Sequence, residues 1–426
     1  MTAEVCLMNR MGVALAADSA VTLVGDDSPK IYNSADKLFL LSEESPVAIM
    51  VYGSAALTLV PWETLVKLYR AQKVGAKPLA SVDAYAKDFV AFLQHRMMGR
   101  FPEVQQATVK AHVRAAFSEI KADIQRRTTE VIERQGKIPE PKMRALLYGW
   151  LNEALDALRR KIEKLPTLKP EISRKLLARR CSAAISKAWV EHLGAAPTTP
   201  ALLRKATSVV IEALRRDAKL ADSGVIVAGF GADEIFPSMV SLHVYDIVAD
   251  RIRMTWEPAK GIDASNSGWV MSFAQQEMVR LFMEGVDPTL DGFVRAVVEK
   301  LYRSLPEEFA KCIGVQLDTE QRRGLDALVS AMLPKMWQGL LTYRQEHFTS
   351  PVTEIVSHLP KDELAAMAEA LVNLTSFRRR VTRDAATVGG PIDVAVITKG
   401  DGFVWIRRKH YFDPALNPRY IARHYR

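Results

Sequence analysis

Two hydrophobic patterns alternate along the chain. Short apolar runs bounded by turn residues fall at 3–9, 12–18, 36–42 and 47–52 and predict buried strands. A helix is expected over 54–70. Apolar positions then recur every three to four residues over 81–100, 103–135, 141–165, 171–193 and 200–220, with Pro139, Pro141, Pro166, Pro170 and Pro197 as punctuation, which predicts a long helical block. Strand patterns return at 224–230, 238–247 and 250–256. A helix is expected from Gly268 to Glu284, and further helices fill 289–345 with breaks at Pro288, Pro306, Pro334 and Pro351. A last helix over 360–380 leads into strands at 391–398 and 402–409.

Strands, helices, strands, helices, strands is the order of an α+β protein built as a four-layer α-β-β-α sandwich, two antiparallel sheets face to face with helices outside. The surplus length falls into two large helical insertions. The expected division is 1–72, 222–285 and 360–410 for the sandwich, 73–221 for a first insertion, 286–359 for a second, and 411–426 for a tail. No internal repeat or low-complexity segment is visible.

Thr2 stands behind Met1, and a small residue at that place permits removal of the methionine. A threonine with a free α-amine holds a hydroxyl nucleophile and a base of pKa about 7.7–8.0 on one residue. Ala17-Asp18-Ser19 closes the second strand, Asp36-Lys37 opens the next, and Gly53-Ser54-Ala55 follows the fourth. With Thr2, these resemble the front of the proteasome β-subunit superfamily of N-terminal nucleophile (Ntn) hydrolases. Bacterial proteasome-like homologues are especially similar. Residues 222–231 with 238–243 resemble the family's central hairpin, Asn266-Ser267-Gly268 its Gly-Ser-Gly turn into a helix, and 384–397 its last Asp-x-x-Ser-Gly segment and strand.

The resemblance implies a threonine-type hydrolase acting on peptide or amide bonds, with a peptide or protein substrate, and a homo-oligomer such as a ring. It implies Thr2 as nucleophile and base, Lys37 as the catalytic lysine with Asp18 holding it, and Gly53 as the oxyanion donor. Ser267, Asp384 and Thr387 would support the terminal amine. Lys37 comes three residues later than the family's spacing, so Lys30 competes for its place. Thr387 stands where serine is usual, and Val388 is inserted before Gly389-Gly390. Two other readings stay open: a silent scaffold that keeps the fold for assembly, and a nucleic-acid-associated factor.

The second of these comes from charge. The net charge of +9 is concentrated: residues 91–220 hold 26 Lys and Arg against 13 Asp and Glu. Arg159-Arg160-Lys161, Arg174-Lys175, Arg179-Arg180 and Arg215-Arg216 either form a positive surface or are solvated helix faces. Otherwise the 426 residues are ordinary for a globular protein, 48% hydrophobic and 25% charged. Three scattered cysteines argue against a disulfide framework and fit a reducing cytosol, and no basic, apolar leader opens the chain, so a cytoplasmic place is expected. No Cys/His cluster has zinc spacing and no Walker A sequence occurs. Gly229-Phe230-Gly231 reads as a hairpin turn, so no metal or cofactor is expected. The apolar stretch between Pro46 and Pro61 is too short to cross a bilayer and is broken at Gly53-Ser54, so no membrane partner is expected.

Overall fold

The computed structural model describes residues 2–23, 30–194, 197–217, 223–382 and 388–424. Two antiparallel sheets form its centre. The five-stranded sheet runs in the order Gly268–Ala274, Ala3–Asn9, Gly12–Ala17, Asp393–Thr398, Gly402–Arg407. The six-stranded sheet runs Arg251–Trp256, Ser238–Val248, Ser223–Gly229, Val47–Gly53, Leu38–Ser42, with Lys260–Gly261 paired to the side of the second of these.

The strands are apolar on both faces because both faces are covered. On Ala3–Asn9, Cys6 and Met8 point at the other sheet and pack with Leu15, Met50, Ile226 and Ala228. The alternate residues Ala3, Val5 and Leu7 point outward onto Leu364, Ala368 and Val372 of the helix Lys361–Val381. The outer face of the six-stranded sheet is covered in the same way by Trp62–Lys73 and Val82–Met97, through Trp62, Tyr69 and Phe89 against Ile49, Val225 and Val240. Helix, sheet, sheet, helix is the expected sandwich.

Three local expectations are corrected. The helix expected from 54 starts at Trp62. A small hairpin, Ala56–Leu57 with Val60–Pro61, comes first, turning through Thr58 and Leu59 at positive φ. The segment after Gly268 is not helix but strand to Ala274, because Gly268-Trp-Val-Met-Ser-Phe-Ala pairs residue by residue with the first strand. Helix begins only at Glu277. Pro306 and Pro334 do not break their helices, which run through as Pro288–Cys312 and Thr319–Arg344.

The first insertion has its own core. Helices Pro102–Gln135, Glu140–Glu163, Arg174–Leu193 and Pro200–Leu214 meet around Phe117, Leu151, Leu155, Ile185 and Trp189. Much of its basic charge is paired along the helices, Arg159 with Glu163 and Arg126 with Asp123 and Glu130, solvent-screened pairs that add little to stability. A buried cluster fastens this unit to the six-stranded sheet. Arg253, wholly buried, donates to Asp246 Oδ2 at 2.7 Å and to the Leu214 and Arg216 carbonyls at 2.8 and 3.2 Å. His112 from the first long helix sits 2.7 Å from the same guanidinium, and burial lowers its pKa. Arg253→Met is therefore expected to cost about 3–5 kcal/mol, since Asp246 and the two carbonyls lose their buried donor. Urea denaturation checks this, and an unchanged midpoint would count against it. Among the described residues no helix is long and apolar enough to cross a membrane.

Candidate active site

Strand register assembles the site. Glu4 lies opposite Ala17 on one neighbour and Phe273 on the other, so Thr2 falls at the strand's end, beside the turn that follows Ala17. The Thr2 carbonyl accepts from Gln275 N–H at 3.2 Å. Asp18 closes on the same strand twice: its N–H donates to the Ala3 carbonyl at 3.1 Å and its Oδ1 accepts from Ala3 N–H at 3.2 Å. Its Oδ2 accepts from Gly389 N–H at 3.0 Å, which ties the last sheet segment to the site.

Lys37 arrives from the opposite sheet. Its carbonyl accepts from Val51 N–H at 2.8 Å, which fixes the backbone ahead of the strand Leu38–Ser42. Its Nζ then reaches across to Asp18 Oδ1 at 2.5 Å. Lys37 is buried, whereas Lys30 is exposed on the small strand Lys30–Tyr32. Lys37 is thus the lysine that meets Asp18.

Gly53 ends the strand Val47–Gly53 with φ 81°, a conformation that favours glycine. Thr2, Lys37 and Gly53 line one cavity of about 160 Å³, together with Asp36, Trp62 and Glu63. Tyr52, also in the lining, stacks on Phe273 with ring centroids 5.7 Å apart. Gly224 makes this possible, because a Cβ there would lie 1.8 Å from the tyrosine ring. Larger cavities of about 410 and 420 Å³ lie beside the second insertion and between Val82–Met97 and the first insertion, away from Thr2.

Thr2, Asp18, Lys37 and Gly53 are therefore together. Ser267 is not with them. It precedes Gly268, which pairs with Asn9 at the other end of the first strand, about 20 Å away by strand rise. The segment that joins this strand to its helix beside Thr2 is instead Ala274-Gln275-Gln276, with Ala274 at φ 60°. Gln275 is held from behind by Arg379 Nε at 2.6 Å. Asp384 and Thr387 lie outside the described residues.

Glu4, which is not among the residues expected from the sequence, also lies at this site. It is 1% exposed, and its Oε2 accepts from Thr2 Oγ1 at 3.1 Å. Its Oε1 has no hydrogen-bond partner and lies 3.8 Å from Lys37 Nζ. Burial pushes its pKa up to about 8, with Asp18 adding to the rise. Lys37, the Thr2 hydroxyl and the chain's amine pull against it. The signal was present: Glu4 is the one charged residue in a strand whose every position is buried, and it faces the sheet interior. The set can do nucleophilic chemistry, having a buried hydroxyl, a carboxylate able to take its proton, an ammonium nearby and an open backbone turn at one cavity.

No protein-family model matches the chain, and no curated protein matches it. Solved structures do. An Anbu (Gly-1) mutant from Hyphomicrobium sp. strain MC1 is 10% identical, with 96% of this chain and 86% of that one covered at a TM-score of 0.25. The Anbu complex from Pseudomonas aeruginosa, described as a helical assembly, is 9% identical, with 99% and 94% covered at a TM-score of 0.27. Superpositions that loose carry no argument about residues or reaction, and the architecture stands on the sheets described above.

Proposed function

We propose that this chain is a proteasome-like N-terminal threonine hydrolase that cleaves peptide or amide bonds once the residue ahead of Thr2 is removed. The observation that carries the reading is the placement of Thr2 Oγ1 against a buried carboxylate and beside the Lys37–Asp18 pair, at a cavity walled by Gly53. In the proposed reaction Thr2 Oγ1 attacks the carbonyl carbon and the C=O electron pair moves onto oxygen. The backbone N–H at Gly53 is assigned to that oxyanion, a donor worth on the order of 10²–10³ in rate. Collapse expels the amine with a proton and leaves an ester on Thr2, which water then hydrolyses. The resemblance offers the released Thr2 amine as one acceptor of the hydroxyl proton, and the Glu4 carboxylate that already accepts the Thr2 hydrogen bond is a second. Lys37⁺, held by Asp18, disfavours a second positive charge nearby and so favours that amine in its neutral form. Self-association belongs to the same proposal, carried over from the sequence resemblance.

The test is intact mass of the purified protein with and without a peptide epoxyketone, which captures both the hydroxyl and the amine of an N-terminal threonine. A chain that starts at Thr2 and gains one adduct, mapped to Thr2, is the expected result. A chain that keeps Met1 and gains no adduct would favour the silent scaffold instead.

A further inference from the structure

We infer that Glu4 is a catalytic residue of this site, the group that takes the proton from Thr2 Oγ1 as the nucleophile attacks. The inference rests on the threonine-nucleophile reading above and specifies its base. The geometry is direct. Glu4 Oε2 is the acceptor of the Thr2 hydroxyl at 3.1 Å, within the reach a general base needs. No water-filled path or rotation is required, because both side chains lie on one face of the first strand, two residues apart. The carboxylate is wholly enclosed: Ala17 and Phe273 flank it from the neighbouring strands, and Cys6 follows on the same face. A structural carboxylate so placed is expected to have both oxygens satisfied. Here Oε1 has no hydrogen-bond partner and faces Lys37 Nζ at 3.8 Å.

The step balances. The Oγ1–C bond forms, the Oγ1–H bond breaks, and its proton moves to Glu4 Oε2. When the tetrahedral intermediate collapses, the proton passes to the departing nitrogen or oxygen, and Glu4 returns to its starting state. The groups facing Glu4 are Asp18 from the second strand, Lys37 from the opposite sheet and the Thr2 hydroxyl. Tyr52 stacks on the flanking Phe273, and the Cys6 thiol is pushed far up by burial, so it stays neutral over the working range. Burial puts the carboxyl near 8, so the ionised, proton-accepting form grows as pH rises toward that value. The rate of Thr2 acylation is expected to climb through neutrality and level off above about pH 8.

The experiment is the rate at which a small β-lactone acylates Thr2, followed by intact mass from pH 5.5 to 9.5, in the full chain and in Glu4→Gln and Glu4→Asp. Glutamine keeps the shape and can still accept the Thr2 hydrogen bond, but it cannot hold the proton. Expected is a loss of about 10²–10³-fold for Glu4→Gln together with disappearance of the alkaline rise. Glu4→Asp is expected to recover part of the rate and to retain the rise. A Glu4→Gln rate within about twofold of the parent, or a uniform slowing with the pH profile kept, would overturn the assignment while Thr2 acylation in the parent stands. No acylation of Thr2 in the parent at any pH would remove the nucleophile reading, and this inference with it.

Discussion

Thr2→Ala is expected to lower acylation and peptide turnover by about 10⁴–10⁶-fold, the range lost when a nucleophile that acts as part of a unit is removed. The change takes away the only hydroxyl that donates to Glu4 Oε2 among the described residues, and nothing else at the cavity of about 160 Å³ replaces it. The fold should survive, because Thr2 lies at the end of its strand and is held through its carbonyl by Gln275, which alanine retains. Removal of the hydroxyl also takes away one of the groups that pull Glu4 down, so the carboxyl rises further. Thr2→Ser keeps Oγ but loses the methyl that restricts χ1. It should therefore keep measurable activity, at a lower rate. Steady-state turnover beside circular dichroism checks both. Alanine-variant turnover at the parent rate would place the nucleophile elsewhere.

The second large effect is expected at Lys37. Lys37→Met leaves Asp18 and Glu4, both essentially buried, without the ammonium that lies 2.5 Å from one and 3.8 Å from the other. Stranding a buried partner in this way costs on the order of 3–5 kcal/mol. The pH dependence has a definite sign. Glu4's carboxyl is raised in the folded chain from 4.5 to about 8, so the folded state holds this proton more tightly than the unfolded one. That contribution is complete below the unfolded value and is lost as pH climbs through about 8. Lys37 lowers Glu4, and without it the carboxyl rises again. The variant's deficit should thus widen above pH 8. Acylation should fall about 10²–10³-fold near neutral pH, as expected for loss of a preorganised charge, and its alkaline rise should move to higher pH as Glu4 titrates later. Denaturant melts at pH 6, 8 and 9.5 read the stability term. Adding Asp18→Asn to the variant should restore part of it, since the stranded charge is then gone. A variant as stable as the parent at pH 9.5 would mean that the ion pair does not hold the two sheets together here.

These expectations explain why the site was only partly readable beforehand. Thr2, Asp18 and Lys37, which the structure brings together, are legible in the sequence because each sits at a strand boundary, where a polar residue interrupts an apolar run, and because their order along the chain carries a resemblance. Ser267 was misplaced for a physical reason. Gly268-Trp-Val-Met-Ser-Phe-Ala was read as the start of a helix. What makes it strand is the pairing of Ala3 with Ala274 through Asn9 with Gly268, a long-range contact that local pattern does not contain. Glu4 is not legible in the sequence for a different reason. Its strand is as expected, but the burial of the carboxyl and the approach of Asp18 and Lys37 come from the second strand and the other sheet, which local pattern does not contain.

The pattern of apolar runs and helical periods by itself determined the four-layer architecture, the location of the helical insertions and most strand positions, because those depend on local periodicity and on which faces must be buried. Only the tertiary structure decided that Lys37 rather than Lys30 meets Asp18 and that Gln275 rather than Ser267 adjoins Thr2. It also decided that Glu4 shares the site. Each of these is a matter of register between strands, and one residue of slip turns a side chain from the interior to the opposite face.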